Sequence, residues 1–393
     1  MSEVVQSARI ILEDGTEYEG NAVGHSSSAS GEILFYTGQG NLSSLLTDPA
    51  LKGAILVLSD PVAGIGGMKS EETDEYGLEK FYESRTAQIS GLVLSSYQDW
   101  PVHPGGKYTL GRWLKKHQVP GIYGIDTRAL VQRIRSRGSM RAKILVEGTK
   151  EVSFAQANLH TSPAQASVRQ QATYGSGKHH IIVIDCGARN SAIRSVIRDD
   201  TTVVRVPATQ DFTDKTFDGV LIAGGPGDPT SAAKTVSIIE KVMEVKKPVF
   251  ATGNGAVILA IAAGASAYRM AHGHRGENIP CMATDTAGRC LITAQNHGYG
   301  IREDSFPVNW NVTWTNKLDN TIEGFADATG LFAGVLFHPE GSPGPSDGAQ
   351  LYDRFLDLVR KGGYTHEHKH DTKTEIRTHT GFGRTKNRTV RRI

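Results

Sequence analysis

No apolar run in this chain approaches the roughly 18 residues that a membrane-crossing helix needs, which excludes a helical span. Cysteine is scarce. Three residues (Cys186, Cys281 and Cys290) in 393 make no disulfide framework, so a reducing compartment is expected. A dominant charge is lacking too: 43 Lys and Arg against 41 Asp and Glu give a net +2. That balance leaves no broad basic footprint for nucleic acid. The opening Met1-Ser2-Glu3 carries an early acid and no apolar core follows it. Neither a secretory signal nor a transit peptide is therefore expected, and cytoplasm is the expected location.

The chain is long enough for about two domains, each with its own core. Residues 8 to 19 alternate around Asp14-Gly15, a hairpin signal. Short apolar runs at 33–36, 54–58 and 89–94 read as strands, and 109–118 and 127–137 as amphipathic helices. The second helix has Asp126 as N-cap and Gly138 as its stop. Residues 1–151 are thus expected to form a mixed, strand-rich domain. Polar, Gln- and Ser-rich 152–178 is expected to be a linker. From His179 to Gly362 apolar strands alternate with helices, which predicts an α/β domain built on a parallel sheet, with functional loops at the strands' carboxyl ends. Residues 363–393 hold His366, His368, His370 and His379, and from Tyr364 eight Lys/Arg against three Asp/Glu. This basic tail is expected to be disordered. No histidine or cysteine cluster has metal-site spacing, so no metal is expected.

One stretch organises the second half. Pro248-Val-Phe-Ala-Thr-Gly-Asn-Gly-Ala-Val257 reads as a strand, a tight turn and the start of a buried helix. This is the elbow geometry that exposes an apical side chain over helix N-terminal amides. The apex is Gly253, which has no side chain.

Around it stand Gly224-Gly-Pro-Gly-Asp-Pro229, Thr293-Ala-Gln-Asn-His-Gly-Tyr299 and Phe337-His-Pro-Glu340. Upstream lie Gly31-Glu-Ile-Leu-Phe35, Leu46-Thr-Asp-Pro49 and Gly124-Ile-Asp-Thr-Arg128. In this order the motifs resemble the small, glutamine-hydrolysing subunit of carbamoyl phosphate synthetase, a class I glutamine amidotransferase. The resemblance covers about residues 8 to 360. It implies that His338 is the base and Glu340 its orienter. It also implies that Gly225 and Gly227 approach bound glutamine, while Asn296, Gly298 and Tyr299 pair with its amino-acid end. In that family the elbow reads approximately Gly-Ile-Cys-Leu-Gly-His-Gln. Without gaps, the cysteine falls on Gly253, and the leucine, histidine and glutamine on Asn254, Ala256 and Val257. A glutamine-contacting serine after Thr-Asp-Pro is replaced by Ala50.

Glutamine hydrolysis needs a thiolate, a base, an orienter and oxyanion donors. With Gly253 at the apex and contacts altered at Ala50, Asn254 and Val257, the expectation is a glutaminase-dead pseudo-amidotransferase beside an ammonia-using large subunit. No cofactor is expected in this chain; ATP and magnesium would belong to the large subunit. The rivals are a non-enzymatic scaffold or regulator without a synthetase, and an active glutaminase with another nucleophile. Thr252, Cys186, Cys281 and Cys290 are each poorly placed for that last role. The residues do not distinguish arginine from pyrimidine biosynthesis.

Overall fold

A computed structural model describes residues 6–99, 105–154 and 163–363. The first domain is a closed seven-stranded barrel in the order β1-β2-β6-β5-β4-β3-β7. Its strands are β1 (Ser7–Leu12), β2 (Glu17–Gly24), β3 (Ala29–Tyr36), β4 (Ile55–Leu58), β5 (Gly91–Val93), β6 (Pro120–Tyr123) and β7 (Arg141–Val146). Strands β3 to β6 run parallel in register, and β1, β2 and β7 close the barrel antiparallel. Alternation sets its two cores. Ile33, Phe35, Ile55 and Val57 pack with Leu130 and Ile134 of α3 (Thr127–Arg137). Leu34, Tyr36, Leu56 and Leu58 pack with Leu45 of α1 (Leu42–Leu46) and Trp113 of α2 (Leu110–Lys116). Asp126 caps α3 by accepting from the Ala129 amide at 2.9 Å, and Gly138 ends it at φ +87°.

The second domain is one ten-stranded sheet with a parallel centre. Its parallel strands, in spatial order, are β10 (Thr201–Pro207), β9 (His179–Asp185), β11 (Gly219–Ala223), β12 (Val249–Thr252) and β17 (Phe332–Val335). Period-2 alternation again sorts side chains between two helical layers. Ile182, Ile184, Val220 and Ile222 face α5 (Ala233–Glu244) and α6 (Asn254–Ala262). Ile181, Val183 and Leu221 face α4 (Asn190–Arg194) and α7 (Gln350–Arg360).

Beyond β17 the sheet turns antiparallel through β16 (Ile322–Asp327), β15 (Trp310–Asn316), β13 (Ala267–Ala283) and β14 (Cys290–Ile301). The parallel sheet expected from strand–helix alternation is therefore the centre of a mixed sheet. The expected linker needs correction as well. Ala172–Tyr174 form β8, an edge strand antiparallel to β10, so ordered sheet structure begins before residue 179. The physical reason is pairing with a twisted edge, which a polar three-residue strand can provide without apolar alternation. The expected disordered tail lies outside the described residues from 364 onward.

Candidate functional site

Strand β12 delivers the chain to Gly253, which adopts φ +56°, ψ −134° and starts α6. The Gly253 amide donates to the Val335 carbonyl at 2.9 Å, tying the turn to β17. Positive φ favours glycine, yet the turn has room for a side chain. A Cβ here would lie 3.4 Å from His338 Cε1 and 3.7 Å from Gly224 Cα, both ordinary contacts. It would point at the imidazole. The elbow backbone thus leaves space for a side chain at its apex, where this chain has glycine.

His338 follows β17, and its backbone amide donates to the Ala294 carbonyl at 2.9 Å. The ring is buried and its Nε2 has no hydrogen-bond partner. Burial first, then the positive charge of Arg189, holds its pKa well below the usual histidine value. The imidazole is therefore neutral, the form in which a base works. Its Nδ1 stands 3.8 Å from Glu340 Oε1, beyond hydrogen-bond length.

Glu340 is instead engaged elsewhere. Its Oε2 accepts from the Tyr352 hydroxyl at 2.9 Å, and its Oε1 lies 3.7 Å from Arg189 Nε. Burial pushes the Glu340 carboxyl up despite Arg189. Arg189 sits in a cage of three buried carboxylates from both domains: Asp48 at 3.9 Å, Glu83 at 3.7 Å and Glu340. Its Nε and Nη2 form ion pairs but no hydrogen bond in this structure. The sequence reading missed this cage. Arg189 stands in Asp185-Cys-Gly-Ala-Arg-Asn190, and nothing in the pattern around one arginine shows burial.

Beside the elbow opens a cleft between the domains. Gly225, Gly227 and Asn254 form one wall, Asn296, Gly298 and Tyr299 on β14 another, and Ala50 of the first domain a third. The five residues assigned to substrate binding by resemblance are thus brought together. Two carry structural duties as well. Asn296 donates to Asp48 Oδ2 at 2.9 Å across the domain boundary. A Cβ on Gly225 would come 1.8 Å from the Cys186 carbonyl oxygen, so only glycine fits there. Asn254 donates to the Gly227 carbonyl at 3.0 Å and leaves its Oδ1 unpaired. Arg275, not singled out from sequence, also lines the cleft; burial brings its pKa down to about 10.

Val257 does not belong to this cleft. It is fully buried in the core between sheet and helices, as is Ala256. Its expected place among the altered glutamine contacts is corrected: a nine-residue helix, apolar on all sides beyond its first turn, directs that position inward.

None of the alternative nucleophiles is well placed. Thr252 is 2% exposed. Cys186 is fully buried, and burial together with Asp185 pushes its thiol far up. Burial raises Cys281 likewise, and exposed Cys290 starts β14 at the far end of that strand from Tyr299. His274, His297 and Glu323 gather behind the β14 wall and are the described residues with metal-ligand geometry.

The comparisons agree with this architecture. Residues 182–358 match the class I glutamine amidotransferase family, and residues 10–144 match the CPSase domain of the carbamoyl-phosphate synthase small chain. The arginine-specific carbamoyl phosphate synthase small chain of Aspergillus fumigatus is 34% identical over 367 residues, covering 91% of this chain and 80% of that one. The chain belongs to the carbamoyl-phosphate synthase small-chain family. The mitochondrial "Carbamoyl-phosphate synthase [ammonia]" of Rattus norvegicus is 40% identical over 366 residues, 92% of this chain. The chain spans only 24% of that relative's length. Among the described residues no helix is long and apolar enough to cross a membrane.

Proposed function

We propose that this chain is a glutaminase-silent member of its family that supports a large, ammonia-using synthetase subunit. The observation that carries this reading is Gly253, at the apex of an elbow whose base His338 and cleft walls are retained. A neutral imidazole next to a residue without a side chain has no nucleophile to activate. The rat relative's name, which specifies ammonia, supports the same reading. On it, ATP and magnesium belong to the partner. The two-domain body, joined across the Arg189 cage, serves as a rigid surface for that subunit.

The test is synthesis of carbamoyl phosphate by this chain reconstituted with a large synthetase subunit. Ammonium should support synthesis and glutamine should not. Failure to associate with any large subunit would favour the scaffold rival, and glutamine-driven synthesis the active-glutaminase rival.

A further inference from the structure

Three strands of the antiparallel extension bring His274 (β13), His297 (β14) and Glu323 (β16) together in the interior. The hydrogen bonds around them fix which atoms face inward. His297 Nδ1 lies 3.0 Å from the Tyr299 carbonyl oxygen, which can only accept, so Nδ1 carries the proton and Nε2 the lone pair. His274 Nε2 lies 2.9 Å from Asp319 Oδ2, which likewise assigns that proton outward and leaves Nδ1 facing in. Asn316 Oδ1 accepts from the Leu318 amide at 2.9 Å, which fixes the orientation of its side-chain amide. Its Nδ2 is therefore a donor, 3.0 Å from Glu323 Oε1 and 3.3 Å from His274 Nδ1.

Two ring nitrogens and a carboxylate now converge. His274 Nδ1 is 2.8 Å from Glu323 Oε1, and His297 Nε2 is 3.5 Å from Glu323 Oε2. Glu323 is completely buried, and both its Oε2 and His297 Nε2 lack a hydrogen bond. Such atoms repel one another unless positive charge lies between them. A proton on His274 Nδ1 would donate to Glu323 Oε1, but it would leave Glu323 Oε2 and His297 Nε2 without a partner. A divalent cation would engage both of those atoms together with His274 Nδ1. Tetrahedral zinc, with bonds of about 2.0–2.2 Å, holds neighbouring ligand atoms roughly 3.3 Å apart, within the range seen here.

We propose that His274 Nδ1, His297 Nε2 and the Glu323 carboxylate form a structural site for one zinc-type divalent ion. The outer partners have the arrangement of ligating histidines. Asp319 and the Tyr299 carbonyl orient the rings, and Asn316 donates to Glu323 at 3.0 Å. Two imidazoles and one carboxylate suit zinc and cobalt rather than calcium or magnesium. Asp319, whose side chain is 41% exposed, marks the side from which an ion enters. No motif spacing signals the site, because its ligands come from three separate strands. Its service is to cross-link them behind the cleft wall that ends in Tyr299.

The experiment uses the full chain with His366, His368, His370 and His379 changed to alanine, so that the tail binds nothing. After chelation and dialysis, zinc is titrated against a chromophoric indicator and cobalt is followed by visible absorption. One equivalent of zinc should bind, with four-coordinate cobalt bands. Glu323→Gln and His297→Asn should each weaken zinc binding at least ~100-fold, and the milder Asp319→Asn ~10- to 100-fold. The Asp319 variant keeps the test decisive if the buried substitutions do not fold. Absence of stoichiometric binding by the folded parent, or binding unchanged in the folded variants, would overturn the site.

Discussion

Gly253→Cys asks whether the elbow lacks only its nucleophile. The added Cβ meets His338 Cε1 at 3.4 Å and Gly224 Cα at 3.7 Å, so the cost is not steric. It comes from holding a non-glycine residue at φ +56°, ψ −134°, roughly 1–3 kcal/mol. For a domain of this size that lowers Tm by roughly 2–12 °C. The new thiol would stand beside a neutral imidazole. Iodoacetamide should then label two sites in the folded Gly253→Cys variant, the substituted position and Cys290, against the single exposed Cys290 of the parent. Glutamine hydrolysis should stay near background, because Ala50 offers no hydroxyl to the cleft and Asn254 stands where the family has leucine. Adding Ala50→Ser and Asn254→Leu should recover measurably more activity. Restoring the family's histidine and glutamine at Ala256 and Val257 should not help. Both positions are fully buried, and an unpaired amide there costs about 1–3 kcal/mol. Rapid turnover from Gly253→Cys alone would refute this reasoning, as would a second thiol that resists alkylation in the folded protein.

Arg189→Leu leaves Asp48, Glu83 and Glu340 buried without their cation, a loss of about 3–5 kcal/mol readable in urea midpoints. Burial already raises the folded pKa of Asp48 and Glu340 above their ordinary values of 3.8 and 4.5. Groups with raised folded pKa favour the fold below those values and lose that contribution as pH rises, so the variant's deficit against the parent should narrow as pH falls toward 4.5 and 3.8. Asp74 is the opposite case. Burial works against its ionisation, but Arg194 at 2.7 Å and the amides of Leu78 and Tyr76 outweigh it and lower the pKa from 3.8. Its stabilising contribution is present above pH 3.8 and is lost as pH falls through the lowered value. Asp74→Asn should therefore flatten the acid limb of a stability profile, and an unchanged limb would count against the assignment. Gly225→Ala forces a Cβ to 1.8 Å from a backbone oxygen and should cost at least about 1–3 kcal/mol in chemical denaturation.

Local signals carried much of this structure. The capped helix at Thr127–Arg137 and the hairpin around Asp14-Gly15 were legible because short-range rules determine them. The elbow and the cleft residues were legible through ordered motifs. The antiparallel extension from Ala267 to Asp327 was not. Its strands bury His274, His297, Asn316 and Glu323, and buried polar residues erase the apolar alternation that marks a strand. Edge strand β8 is too short for any period to show. The Arg189 cage joins residues as far apart in sequence as Asp48 and Arg189, whose meeting only the domain contact reveals. Val257 was misplaced because a family position was carried over without regard to the apolar helix around it.

A glutaminase-silent site should release no glutamate from glutamine. Purified chain, alone and with a large synthetase subunit, should be incubated with glutamine and scored for glutamate release. Release should stay at the buffer blank, unaffected by Cys290→Ser. Stoichiometric, repeated turnover that survives repurification and disappears in His338→Asn would contradict the glutaminase-silent reading.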